Sequence, residues 1–324
     1  MLTAYTSRSG AVVSDEPHGE SLPESCVWLD LLNPTSEEDA MVEQRVGVDV
    51  PSIEQMSEIE SSSRMYIENG ARYLTMTLVA DAEGEKPHVA AVTCILAGNR
   101  LVTVRHDELR AFTAYSLQIR RSGTPPKNGE AALMGLLEVI IDRAADLTEK
   151  IGASVDEISQ WVFEQNVVRA TRRRNYRAVL RAIGRKGGVL SMARESLVSI
   201  SRVLLFLSAD TSEKSVSKDS RAELRTMLRD VRSVLDHITF LSDKITFILD
   251  AALGMVTLEQ NDIVQAFSVV SVVLMPPTLI ASAYGMNFHN MPELSWTYGY
   301  PLALLAMLLS SVLPFLFFRW KRWL

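Results

Sequence analysis

At 324 residues, with 22% charged side chains and a net charge of −6, the chain has room for about two soluble modules and no overall basicity to hold it on nucleic acid. Its two cysteines are too few for a disulfide scaffold and have no His or Cys neighbours of a metal site, and the five histidines, His18, His88, His106, His237 and His289, are scattered. A mean hydropathy of +0.09 averages a polar body with a strongly apolar end.

Residues 1–127 read as an α/β domain. Strand-like segments at Val27 to Leu31, Tyr73 to Val79, Val89 to Leu96 and Leu101 to Val104 are largely β-branched or aromatic and are separated by Gly70, Gly84, Gly98 and Asn99. Between the first two lie helical stretches. Thr35 with Glu38 three residues on predicts a capping box, in which each side chain satisfies a backbone donor left free at the helix start. No charged n-region, apolar h-region and cleavage site precede Pro23, so this domain is expected to stay in the cytoplasm, with Cys26 and Cys94 as reduced thiols. Paired prolines and two glycines in Gly123 to Gly129 mark the domain boundary.

Residues 128–257 read as a stalk of long helices. One helix is expected to run to about Gln165, a second through a basic block to about Ser208, and a third from about Ser215 with no proline before Pro276. The block holds Arg169, Arg172, Arg173, Arg174, Arg177, Arg181, Arg185 and Lys186. In the third helix Leu224, Leu228, Val231, Leu235, Ile238, Ser242, Ile245, Leu249, Ala252 and Val256 alternate steps of four and three. That period of about 3.5 is a packing seam, either against another copy or within the chain's own subunit.

Residues 258–324 read as a transmembrane hairpin with uncharged spans at about 263–283 and 296–318. A run of about 21 residues extends roughly 32 Å as a helix, which matches a hydrocarbon core of about 30 Å. Arg319, Lys321 and Arg322 follow the second span, while the loop between spans has no Lys or Arg; the positive-inside rule then places both termini in the cytoplasm. After a step of five from Val256, steps of three and four resume into the first span through Asn261, Val264, Ser268, Ser271, Met275, Thr278 and Ser282. A polar stripe on a spanning helix faces protein or water, and one hairpin cannot enclose a water-filled path, so a pore would need several copies.

The residues Tyr284, Gly285, Met286, Asn287 and Phe288, with Met291, Pro292, Glu293 and Leu294 after them and Met275, Pro276, Pro277 and Thr278 before, resemble the signature of the CorA family of divalent-cation transport proteins. The likeness continues in Trp28 to Thr35, Glu58 to Arg64 and Phe267 to Ser271, and so covers essentially the whole chain. It implies an α+β membrane protein in which cytoplasmic domains and long helices form a funnel, assembled as a homopentamer. The implied substrate is Mg²⁺, often with Co²⁺ and Ni²⁺, and no cofactor is implied beyond the divalent cation as substrate and regulator. Positions matching the family's pore-facing residues are Asn261, Val264, Phe267, Ser271, Met275, Thr278 and Asn287, with Gly285 and Met286 beside the last. They overlap the stripe but replace Ser268 by Phe267. In the outer loop Glu293 would concentrate cations, and His289 stands where relatives commonly carry an acid. The family's regulatory metal site pairs an acid of the α/β domain with one on the long helix; Asp81 and Glu83 match the first, with Asp230 or Asp236 as partner. The basic block departs from an acidic region in several relatives.

The residue types suit this chemistry. Mg²⁺ gives up water reluctantly, so neutral amide oxygens that accept the hydrated ion avoid both dehydration and trapping. A zinc transporter of the ZntB type and a membrane-anchored sensor are the rival readings. An enzyme is not expected, because no phosphate loop, Rossmann fingerprint or His-Glu-x-x-His motif is present, and no nucleic-acid partner is expected.

Overall fold

The computed structural model describes residues 1–8, 11–15, 26–58, 60–122, 126–163, 176–209, 218–286, 291–292 and 296–321. By internal contact it divides into two units, Met1–Ile248 and Leu249–Leu324.

The first unit is built on a seven-stranded sheet: β1 Leu2–Arg8, β2 Ala11–Asp15, β3 Cys26–Leu32, β4 Met65–Glu68, β5 Ala71–Ala80, β6 His88–Ala97 and β7 Arg100–Arg105, in the order β2-β1-β3-β7-β6-β5-β4. β3 and β7 pair in parallel, with Trp28 beside Leu101; the other neighbours are antiparallel. Helices cover both faces, which is why β3 and β5 are buried along nearly their whole length rather than at alternate residues. On one face Leu29, Leu31, Val102 and Val104 form a core with Val42 of α1 Ser36–Val46 and Met56 of α2 Ile53–Met56. The capping box at Thr35 and Glu38 is present, and α1 ends on Gly47 at φ 75°, a left-handed position that favours glycine. A single turn, α3 Ser61–Arg64, precedes β4.

On the other face Trp28 packs against Phe112 and Tyr115 of α4 Arg110–Ser122. There α5 Gly129–Phe163 begins hard against β7: a Cβ on Gly129 would lie 2.3 Å from the Arg100 carbonyl carbon. Ser199 of α6 Tyr176–Ala209 accepts a 3.0 Å hydrogen bond from the Thr77 N–H, which ties that helix to β5.

The long helix α7 Lys218–Tyr284 starts in this unit. Its buried side here is Leu224, Met227, Val231, Ile238, Leu241 and Ile248, while Leu228, Leu235 and Ser242 are half-buried. The expected seam is therefore shared between the subunit's own core and a neighbouring, partly open strip. α5 runs alongside α7 in the same direction, with Gly152 facing Leu241, Asp156 ion-paired to Lys244, and the Phe163 and Phe247 rings stacked 5.7 Å apart. α6 runs the other way, with Gly187 facing Ile245.

The second unit holds the rest of α7 and α8 Gly299–Trp320. Both helices carry windows long and apolar enough to cross a membrane, with hydropathies of 2.0 and 2.2. Across the span of α7 from residue 263 and across α8, the described buried residues are Val269, Gly299 and Ala303. So much unburied apolar surface needs lipid or further copies around it.

Candidate functional site

Along the first span, Asn261, Ser271 and Thr278 are exposed, and so are Val264 at 63%, Phe267 at 71% and Met275 at 73%. Ser268 is exposed as well, beside Phe267. The hydroxyls are not idle. Ser268 donates to the Val264 carbonyl at 2.8 Å, Ser271 to Phe267 at 2.9 Å, Thr278 to Leu274 at 2.8 Å and Ser282 to Thr278 at 2.8 Å. Each O–H proton is spent on the helix's own turn. What remains on the surface is a set of hydroxyl oxygens with lone pairs able to accept hydrogen bonds.

Pro276 and Pro277 sit inside α7. Lacking an N–H, they leave the carbonyls of Val272 and Val273 without their usual helical partners, and in hydrocarbon such groups must face protein or water. At the end of the helix the Gly285 N–H still bonds the Ala281 carbonyl at 3.0 Å, and a Cβ on Gly285 would approach that oxygen to 3.3 Å. Gly285 thus still donates in the helical pattern one step beyond Tyr284, while the last carbonyls of a helix have no partner further along it. Met286 follows, exposed; Asn287, His289 and Glu293 lie outside the described residues.

The acids expected to regulate sit in the turn between β5 and β6. Asp81 takes the left-handed conformation, φ 48°, and its carboxylate accepts the Lys86 N–H at 3.2 Å. Glu83 is held by Lys150 of α5 at 2.6 Å and by Arg110 at the start of α4. The Lys150 ammonium, with the Arg110 guanidinium, pulls its carboxyl down to about 2. Both acids line a cleft of about 470 Å³ together with His88, Asp107 and Asp146. His88 Nε2 meets Asp107 at 3.0 Å, and the Lys86 carbonyl, then Asp107, raise its pKa. Asp230 and Asp236 are exposed on α7 and do not line the cleft. No cluster of three or more metal-ligating side chains forms among the described residues of one subunit. Sequence reasoning missed Lys150 and Arg110 as the partners of Glu83. They lie far along the chain from it, and no local pattern signals them.

Residues 23–322 match the family described as CorA-like Mg2+ transporter protein. The chain belongs to the CorA family. A magnesium transport protein CorA of Haemophilus influenzae is 32% identical over 324 residues, covering 100% of both chains. The complete structure of the CorA magnesium transporter from Methanocaldococcus jannaschii is similar with a TM-score of 0.78 at 17% identity, over 100% of this chain and 99% of that one. The ZntB cytoplasmic domain from Vibrio parahaemolyticus is similar with a TM-score of 0.56 at 12% identity, over 78% of this chain and 96% of that one. At these identities the two structures speak for the fold alone. The CorA likeness takes in the α/β sheet, the long helices and both apolar helices, whereas the ZntB likeness is to a cytoplasmic domain.

Proposed function

We propose that this chain moves divalent cations across the inner membrane, Mg²⁺ first and Co²⁺ or Ni²⁺ with it, through a pore lined by the first spans of a homopentamer. Both termini are cytoplasmic in this reading, as the basic tail after the second span favours. The observation that carries it is the exposed stripe on α7, where Asn261 and back-bonded hydroxyls alternate with Val264 and Met275 and lead to Gly285.

Acceptor oxygens receive the water shell of the ion without stripping it, which suits a cation that dehydrates reluctantly. The apolar positions close the path by dewetting when the ring narrows. Asn287 is the selecting residue, an amide oxygen contributed once per subunit at the outer mouth, and Glu293 beyond it raises the local cation concentration. The cation is the substrate; no separate cofactor and no catalytic residue enter this reading.

Ion-resolved flux into proteoliposomes tests it, comparing Mg²⁺, Co²⁺, Ni²⁺ and Zn²⁺ with and without a proton gradient. Mg²⁺ flux is expected, and Asn287→Ala is expected to abolish it while the oligomer persists. Wild-type flux in an assembled Asn287→Ala protein would sink the pore assignment. Zn²⁺ flux driven by protons, with none for Mg²⁺, would favour a ZntB-type role, and no flux of any ion would favour a sensor.

A further inference from the structure

The basic block remains without a role in this reading. Its described part opens α6, where Arg177, Arg181 and Arg185 recur every four residues and are exposed on one face. From Gln165 to Arg194 the sequence contains no acid, in a chain that is acidic overall. Like charges four apart on a helix repel one another. Among the described residues no ion pair relieves these three. A helix start that keeps such a column is suited to an anionic surface.

The packing of the first unit says where that face lies along the stalk. Tyr176 is buried at the head of α6 with its ring edge-on to Trp161 of α5, 5.6 Å between centroids, so the arginines stand on an anchored helix. Phe163, near the end of α5, stacks on Phe247. Arg177 lies about 15 Å along α6 from Gly187, which faces Ile245, in the direction in which α7 runs within the first unit. However the two units are disposed, the helical chain from Phe247 to the first apolar span at Ile263 is about 24 Å long, and the polar headgroup layer takes up roughly 5 to 8 Å of that.

We propose that the Arg177, Arg181 and Arg185 face of α6 docks on anionic lipid headgroups of the membrane in which the chain's own hairpin is embedded. The attraction is that of a juxtamembrane polybasic segment, and it is confined to within a Debye length of the surface. The inference rests on the transmembrane reading of the hairpin but not on which side the α/β domain occupies.

The test uses the full chain carrying Gly184→Cys, an exposed position with open space around an added Cβ, between Arg181 and Arg185. The native thiols do not compete for a maleimide dye: burial pushes Cys26 up to about 11 and Cys94 up to about 12. Labelled protein is placed in phosphatidylcholine vesicles and in the same vesicles containing phosphatidylglycerol, with an acceptor on the lipid headgroups. Energy transfer is expected to be at least about twofold higher in the anionic vesicles, to fall to the phosphatidylcholine level in high salt, and to be lost with Arg177, Arg181 and Arg185 all changed to Gln.

Equal transfer in both vesicles overturns the proposal. So does a salt- and arginine-dependent signal that ignores lipid charge, which would assign the face to an acidic surface on a neighbouring protein copy. The lipid and salt arms use the unsubstituted arginines and decide the matter even if the Gln variant fails to fold. Both leaflets have one composition, so a wrong orientation leaves the result intact; a membrane-impermeant quencher of the same dye scores orientation separately.

Discussion

Asp30 and Arg105 are 75 positions apart and meet on neighbouring parallel strands, both nearly buried. The Arg105 guanidinium donates to Asp30 at 2.8 and 3.1 Å and lies 4.6 Å above the Phe112 ring, while Thr103 donates to Asp30 at 2.7 Å and accepts from the Trp28 indole at 3.0 Å. Removing one member of such a pair strands the other charge in the core. Asp30→Ala is therefore expected to cost about 3–5 kcal/mol, read by urea titration of the detergent-solubilised chain. A loss near zero would mean that the arginine reaches water. Glu83 obeys a different rule because it is exposed: its ion pairs are screened, and their effect appears in the pH dependence. Its carboxyl is held at about 2, below the ordinary 4.5, so the stabilisation is complete above the ordinary value and is lost as pH falls toward 2. The stability difference between the parent and Glu83→Gln should stay constant from neutral pH to about 4.5 and shrink below it. A difference that does not change with pH would show that Lys150 and Arg110 are not its partners in solution.

At the scale of elements, α7 is one helix with two kinds of surface. Up to Ile248 its Leu and Val side packs within the first unit, and further on its exposed side carries Asn261, Met275 and the hydroxyls. The back-bonded hydroxyls change the weight of the argument. A serine whose proton is already bonded to its own helix can face lipid at little cost, so Ser268 and Ser271 alone do not demand water. Asn261, with two amide protons and an oxygen, and the carbonyls freed by Pro276 and Pro277 make the stronger claim. Met275, 73% exposed in the single subunit, is the apolar position nearest those prolines and the one expected to gate. Met275→Ser should hydrate the constriction and raise flux under conditions where the parent is closed. Unchanged flux and unchanged metal sensitivity would move the gate elsewhere along α7.

For the whole molecule, the proposed pentamer offers a route by which the carried ion could regulate its own passage. Five copies that bring acids of the β5–β6 turn against Asp230 or Asp236 of a neighbour would repel unless a divalent cation lay between them, and metal would then hold the ring shut. Within one subunit Glu83 already has two cations, which leaves Asp81 as the acid with charge to share. Asp81→Lys alone is accordingly expected to mimic the bound metal, so that cytoplasmic Mg²⁺ or a chelator no longer alters flux or protease sensitivity, and adding Glu83→Lys should change nothing further. A substituted protein that responds to metal as the parent does would place the regulatory site elsewhere, or show that the chain is not feedback-gated.

Local pattern was enough for much of this protein. The two spans follow from apolar length, the capping box from Thr35 and Glu38, the three long helices from uninterrupted periodicity, and the family from the residues around Gly285, because each is a property of a short stretch or of one period. The strands β1, β2 and β4 did not show in that way: β4 is four residues long, and all three are strands because of the partners they pair with. Only the folded chain brings Lys150 and Arg110 to Glu83, and Arg105 to Asp30, and only the folded chain decides that Met227, Leu241 and Ile248, rather than Leu228, Leu235 and Ser242, turn fully inward on α7. Periodicity shows that a helix has an apolar side. Which neighbours that side meets depends on contacts between residues distant in the chain, and a local pattern does not encode those.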